Sequence, residues 1–597
     1  MQPTMEILAR INQNSTSNKN EIFTKLYRYL LREDIYFVAY QNLYANKGAA
    51  TKGIDSDTAD GFSYQYIHNI IHSLKNDSYV PKPVRRTHIP KKNGKMRPLG
   101  IPVFADKVVQ EVIRLILNAV YEPVFLKCSH GFRPNKSCHT ALKDIMGFNG
   151  VRWFIEGDIK GCFDNISHAV LLQVIGKKVK DHRFIELIRK FLKAGYMEEW
   201  KVNRTHSGAP QGGIISPILS NIYLHELDGY MQNLTEEFNR PAEKMLNRDY
   251  KLLSSMVERL KKLVDRANDE TERSELIKQY NETRKKMQQT PCKSQTDKKL
   301  KYVRYADDFI IGVNGSREDC EQIKRAVKTF ISQNLKMELS DEKTYITHSS
   351  NAARLLGYDI SVRRNSIPKP DKNGVLKRSL NNMVQLTIPF QDKIEAFLRS
   401  KNAVRFKDYK LFPAKRDYLL NLSDLEIVST YAAEMRGIFN YYNMAVDYYK
   451  LSYFAYLMEY SCLMTLARKH KSPISKIMTK YKDGRGNWGV PYETKKGKKR
   501  LYLPDKNDCK ENKAIDVIPH NAISHSYSTT SFEKRLQAKI CELCGASGDL
   551  NFEIHHVNKV KNLKGKSHWE MVMIAKRRKT LVVCESCHKH IHNNRNI

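Results

Sequence analysis

Two groups of residues in this sequence have the types and spacing to carry chemistry. Asp158 follows the apolar run Val151 to Ile155, and Asp307 and Asp308 lie between Val303-Arg304-Tyr305 and Phe309-Ile310-Ile311, which reads as the tip of a β-hairpin. Packing that tip beside the end of the Asp158 strand would bring three carboxylates to one point. Adding a nucleotide to a 3′ hydroxyl needs such a point, because two divalent cations about 3.5 to 4 Å apart must activate the attacking oxygen and neutralise the triphosphate. An isolated Asp-Asp pair is more often a turn former, so the neighbouring residues decide.

The second group is C-terminal. Cys541-x-x-Cys544 and Cys584-x-x-Cys587 offer four soft ligands at knuckle spacing, the pattern of a closed tetrahedral structural zinc. His588 and His592, four residues apart, share one helical face, and Glu553-Ile-His555-His556 lies between the cysteine pairs. The other seven of the 11 cysteines are scattered between Cys128 and Cys509, as suits a reducing compartment.

The elements that must position these groups follow from periodicity. Trp153 to Glu156, Leu300 to Tyr305 and Phe309 to Val313 read as strands, and Asp106 to Val120 as an amphipathic helix. From Met231 to Lys299 the chain is strongly charged, with Leu252, Met256, Leu260 and Leu263 at helical spacing, like an exposed helical pair. Residues 385–470 read as helical, and Tyr481 to Lys513, which includes Lys495-Lys496-Gly497-Lys498-Lys499-Arg500, as a basic surface facing phosphate or a solvated linker.

At 597 residues the chain exceeds what one core supports. Its net charge of +37 calls for a polyanionic partner, for which nucleic acid is the leading candidate. No 18-residue apolar run, signal peptide or lipidation motif is found, so a cytoplasmic protein without membrane association is expected.

Three ordered motifs resemble reverse transcriptases: Glu156-Gly-Asp158-Ile-Lys-Gly-Cys-Phe163-Asp164, Gly208-Ala-Pro210-Gln211-Gly212-Gly213 and Tyr305-Ala-Asp307-Asp308. Lys95-Met-Arg97-Pro98, Ser129-His-Gly-Phe-Arg133-Pro134, Asn221-Ile-Tyr-Leu-His-Glu-Leu-Asp228 and Leu356-Gly357-Tyr358 look like group II intron-encoded proteins, over nearly the whole chain. The resemblance implies that Asp158, Asp307 and Asp308, with the Ile159 carbonyl, hold catalytic Mg2+. It further implies that Arg97 and Lys91 grip the triphosphate of an incoming dNTP and that Phe163 excludes a 2′ hydroxyl. By the same likeness the Gln211 loop approaches a base pair and Lys343 protonates the pyrophosphate.

The C-terminal pattern resembles HNH nucleases, which implies His556 as general base and His555, His588 and His592 around one divalent cation, Mg2+ by the same likeness. One departure is visible, because Lys579-Thr580-Leu581 stands where the family often has Asn-Leu; Asn558 and Asn562 are candidates for the central asparagine. Arg436, Asn440, Tyr441 and Tyr442 suit either an RNA surface or a buried aromatic stripe in a helical thumb.

The expected architecture is therefore multidomain α+β: a right-hand polymerase of fingers and palm, a helical thumb, and a C-terminal ββα-metal HNH domain containing zinc. Expected boundaries are an RNA-binding extension at 1–85, fingers and palm at 86–375 with an insert at 231–299, thumb and maturase at 376–480, a DNA-binding region at 481–535 and the nuclease at 536–597. The resemblance implies reverse transcription, maturation of a host intron RNA by binding it, and cleavage of target DNA to furnish a primer. A homodimer is a further expectation. A splicing cofactor with vestigial sites, a retron-like or diversity-generating reverse transcriptase, and an RNA virus polymerase are the rival readings.

Overall fold

Alternating apolar residues build a sheet buried on both faces. In this computed structural model the strands run in the order Lys299–Tyr305, Asp308–Asn314, Trp153–Asp158, Ile346–His348, all antiparallel. Phe309, Ile311, Val313 and Ile155 point into one core with the helices Ser216–Phe238 and Arg317–Asn334. Ile310, Phe154 and Val303 point into the other, against the helix Cys138–Met146 and the C-terminal helical region. A side-chain period of two fixes this division, because a one-residue slip would exchange the faces.

The structure describes residues 3–593 apart from 45, 47, 91–93, 95, 199–200, 204–207, 209–211, 240–246, 291, 293–297, 366, 371–372, 378–380, 485, 495–496 and 512–530. Lys91, Gln211, Lys495, Lys496 and the centre of the 481–535 region lie outside the described residues.

One buried cluster pins the hairpin to its surroundings. Arg304 and Asp228 are both fully buried, and the guanidinium donates to Asp228 Oδ1 from Nε at 2.7 Å and to Oδ2 from Nη2 at 2.6 Å. The same guanidinium reaches Ser129 Oγ at 2.8 Å, Asn221 Oδ1 at 3.3 Å and the Ala306 carbonyl at 2.8 Å. Ala306 takes a left-handed φ of 55°, a conformation with a steric cost for a side chain, and its carbonyl is held there by Arg304. Gly131 has to be glycine, since a Cβ would lie 2.3 Å from the Ala306 nitrogen.

A second sheet, ordered Met96–Ile101, Val84–Pro90, Tyr196–Glu198, Lys201–Asn203, stands apart from the first. The helix Phe104–Tyr121 is buried along nearly its whole length and carries the N-terminal helices Thr4–Ser17 and Asp34–Tyr44. The helix Ser216–Phe238 keeps Met231 fully buried, so the expected insert at 231–299 begins later than its charge pattern suggests. Its two helices, Arg248–Arg266 and Glu270–Gln289, pack on each other and have no buried residue. Past the second core the region 385–470 is less uniformly helical than expected, with a hairpin Val404–Lys407/Lys410–Pro413 ahead of the helices Asp424–Tyr441 and Leu451–Lys469.

At the C-terminus the strands Phe552–His556 and Thr580–Cys584 pair antiparallel and are followed by the helix Glu585–Asn593, giving the ββα arrangement. A third strand completes their sheet from the other end of the chain: Phe62 pairs with Ile554 and Ser63 with Glu553.

Arg304→Met would leave Asp228 as an uncompensated buried charge, a change that costs about 3–5 kcal/mol. Urea unfolding followed by circular dichroism should show an earlier transition, and an unchanged midpoint would show that the pair does not hold the hairpin.

Candidate functional site

Register alone brings the aspartates together. Asp158 ends its strand directly opposite Asp308, and the two-residue turn Ala306-Asp307 places the third carboxyl beside them. Burial raises Asp307, with the Asp158 charge adding to it, while Arg97 and Lys343 oppose the rise. Asp308 is pushed up to about 7, mainly by burial and then by its neighbours Asp307 and Asp158. Like charges gathered in a half-dry site are unstable without a counter-cation. Lys343 supplies one here, its Nζ 2.8 Å from Asp158 Oδ2, and this hydrogen bond is the main cause of its own raised pKa.

The other expected polymerase residues that are described fall around this point. Arg97 lies on the strand Met96–Ile101 within electrostatic reach of Asp307. Phe163 is half-buried rather than a core aromatic, with Phe132 edge-on at 6.2 Å; Phe132, exposed at a φ of 57°, is a neighbour that the sequence reading did not single out. Ile159 faces Leu339, but the hydrogen bonds of that bridge run from Lys160 N to Glu338 O at 2.9 Å and from Ser340 N to Asp158 O at 2.8 Å. The bridge therefore leaves the Ile159 carbonyl unused, as a ligand role requires.

Two further clusters have ligand atoms that all lie within 4.8 Å of one another. The first is Cys541, Cys544, Cys584 and Cys587, as the spacing predicts. Burial acts against ionisation of Cys584, yet hydrogen bonds from Ser586 and the Cys587 backbone bring it down to about 6, while burial pushes Cys587 up. A set of thiols in which one is already acidic suits a thiophilic cation.

The second cluster contains His555, His588 and His592, and also Asp60. Asp60 lies in the segment expected as an RNA-binding extension, and no spacing in the sequence links it to the histidines. Glu553 accepts from His588 Nδ1 at 2.5 Å and thereby turns Nε2 inward. Burial opposes the protonated form of His588, but Asp60 and Glu553 together raise it to about 9. Asp60 is held well below the usual carboxylate range by His555 and His588, against the effect of its own burial. His556 stands beside the cluster. It is buried, which lowers its pKa, its ring lies edge-on to Tyr44 at 6.2 Å, and its Nε2 has no hydrogen-bond partner among the described residues. A neutral imidazole with an unused nitrogen has the state a general base needs.

The helical region resolves the two readings of its tyrosines. Tyr442 is 4% exposed, and Tyr441 and Tyr442 pack around Tyr358, with the Tyr441 hydroxyl donating to the Leu356 carbonyl and the Tyr442 hydroxyl to that of Gly357. They are a buried stripe that fastens helix to sheet. Arg436 and Asn440 remain exposed.

Comparison with known proteins finds three family matches along the chain. A family model described as reverse transcriptase (RNA-dependent DNA polymerase) matches residues 89–360, one described as type II intron maturase matches 381–535, and one described as AI2M/AI1M-like HNH endonuclease matches 541–588. The chain is 56% identical over 596 residues, 99% of both chains, to the group II intron-encoded protein LtrA of Lactococcus lactis subsp. cremoris. It is 34% identical to an uncharacterized 91 kDa protein in the cob intron of Schizosaccharomyces pombe, covering 99% of this chain and 73% of that one. Among solved structures, apo telomerase from Candida Tropicalis overlaps at 14% identity and a TM-score of 0.32, covering 65% of this chain and 64% of that one.

Two measurements test these sites. Asp308→Asn removes the repulsion that raises the carboxyl, so in magnesium-free buffer it should raise the melting temperature at pH 8 by about 2–4 °C. The gain should shrink toward pH 5, where the parent carboxyl already carries a proton, and an equal gain at both pH values would contradict the assignment. Replacing Cys541 and Cys584 by Ser should release about one metal ion per chain, read by elemental analysis.

Proposed function

Because the chain belongs to the family of group II intron-encoded proteins and carries reverse transcriptase, type II intron maturase and HNH endonuclease domains, we propose that its three activities act in sequence on one intron. Target DNA is cut at the His556 centre, and the new 3′ end primes copying of the bound intron RNA at Asp158, Asp307 and Asp308. A net charge of +37 and a maturase domain agree with RNA binding, and binding the intron RNA assists its splicing, with the RNA itself doing the splicing chemistry. Among the described residues no helix is long and apolar enough to cross a membrane.

The observation that carries the polymerase reading is the pairing of Asp158 with Asp308 under the Ala306-Asp307 turn. In this reading the three carboxylates and the Ile159 carbonyl hold two Mg2+ ions, hard oxygen donors being suited to that ion. The ions supply Lewis acidity to the attacking hydroxyl and charge neutralisation to the triphosphate. Arg97 approaches the phosphates from the opposite sheet, and Phe163, beside Phe132, presses on the sugar at the 2′ position. Lys343, paired with Asp158 in this structure, would act as the proton donor to the pyrophosphate. Lys91 and Gln211 keep their proposed contacts to the triphosphate and the base pair on the strength of the motifs.

In the nuclease His556 takes a proton from water while His555, His588 and His592 gather the cation that polarises the scissile phosphate. The four cysteines would hold Zn2+, whose part would be structural, tying the sheet Phe552–His556/Thr580–Cys584 to the preceding loop.

Asp307→Ala with Asp308→Ala should reduce complementary DNA synthesis at least about 1000-fold and spare intron RNA binding, measured by primer extension and filter binding. His556→Ala should stop strand cleavage and leave extension intact. Persisting synthesis or persisting cleavage would remove the corresponding assignment.

A further inference from the structure

We propose that Asp60 is a ligand of the nuclease cation, so that the nuclease centre is completed by the N-terminal segment of the chain. The inference rests on the nuclease reading above.

Distances support a shared ion. Asp60 Oδ1 lies 3.1 Å from His555 Nδ1 and 3.3 Å from His588 Nε2, and Oδ2 lies 2.8 Å from His592 Nε2. His588 Nε2 and His592 Nε2 are 3.3 Å apart. Ligands bonded at about 2.0 to 2.1 Å to one tetrahedral ion are separated by about 3.3 Å, so these atoms have the spacing of a coordination shell. Four side chains, three imidazoles and one carboxylate, with ligand atoms that all lie within 4.8 Å of one another, converge more closely than a hydrogen-bonded surface pair.

The carboxylate is also held in place from behind. Its Oδ1 accepts from the His556 backbone N–H at 2.7 Å. The next residue, Gly61, has a φ of 84°, which side-chain-bearing residues rarely adopt, and its N–H donates to the Ile554 carbonyl at 3.0 Å. Phe62 and Ser63 then pair with Ile554 and Glu553, and the buried Phe62 ring stacks on Tyr40 at 4.2 Å. The strand that carries His555 and His556 is thus the strand on which the Asp60 segment is built.

Chemistry gives the carboxylate a purpose. Three imidazoles form a borderline set that favours Zn2+ and its neighbours, whereas one anionic oxygen added to them raises affinity for Mn2+ and Mg2+. Linkage then requires that cation binding and docking of residues 57–66 strengthen each other.

The test uses the full chain with Asp307→Asn and Asp308→Asn in the background, so that the nuclease centre is the one titrated with Mn2+. Calorimetry should show affinity falling tenfold or more for Asp60→Asn, an isosteric change whose zinc content reports intact folding. Hydrogen exchange in the chain that keeps Asp60 should slow across residues 57–66 when Mn2+ is added. Unchanged affinity in Asp60→Asn, where His588→Ala loses binding, would overturn the ligand role and leave the nuclease reading standing. Exchange that is unchanged or faster with Mn2+ would overturn it without reliance on any variant. If His588→Ala also leaves binding unchanged, the nuclease cation itself is misplaced and the inference falls with it.

Discussion

The buried pair of Arg304 and Asp228 is the interaction on which the proposed polymerase centre depends. Each charge would be expensive to bury alone, and together they are tolerated because the guanidinium is saturated by five acceptors on four residues. One of these acceptors is the carbonyl of Ala306, inside the turn that presents Asp307. The short segment from Ser129 is drawn in by the same group, with Arg304 N–H donating to Cys128 O at 2.8 Å and His130 N–H to Arg304 O at 2.9 Å. Arg133 locks that segment from its far side by pairing with Glu122. Motifs that are far apart in sequence are therefore parts of one bracket around a strained turn.

Above the bracket, the sheet acts as a partition. Its two faces serve different cores, one shared with the N-terminal helices and one with the helical region that follows. A displacement of the sheet would have to disturb both, which is why a hairpin tip and a strand end that gather three mutually repelling carboxylates can be held rigid. The cost of that repulsion is visible in the raised Asp307 and Asp308, and cations are the natural way to relieve it.

The nuclease uses a different solution. Its sheet is too small to enclose a site, and the edge of Phe552–His556 is covered by two residues from the beginning of the chain. Covering the edge removes unpaired backbone groups, and it also brings Asp60 and Tyr44 to the histidines. Stability and site construction come from the same contact, which joins the two ends of the chain physically.

By itself the sequence determined the chemistry that depends on local order: the hairpin around Asp307 and Asp308, the strand ending in Asp158, the cysteine knuckles and the helical spacing of His588 and His592. These are set by turn residues, period-two alternation and ligand spacing over a few positions, and they survive without knowledge of the rest. Only the tertiary structure decided how Asp158 meets Asp308, because strand register depends on both cores; that Tyr441 and Tyr442 are packed inward, because helix-to-sheet docking selects the face; and that Asp60 joins histidines about 500 or more positions away. No periodicity or spacing relates residues at that separation, and what brings them together is the pairing of Phe62 and Ser63 with a strand whose open edge needed a partner.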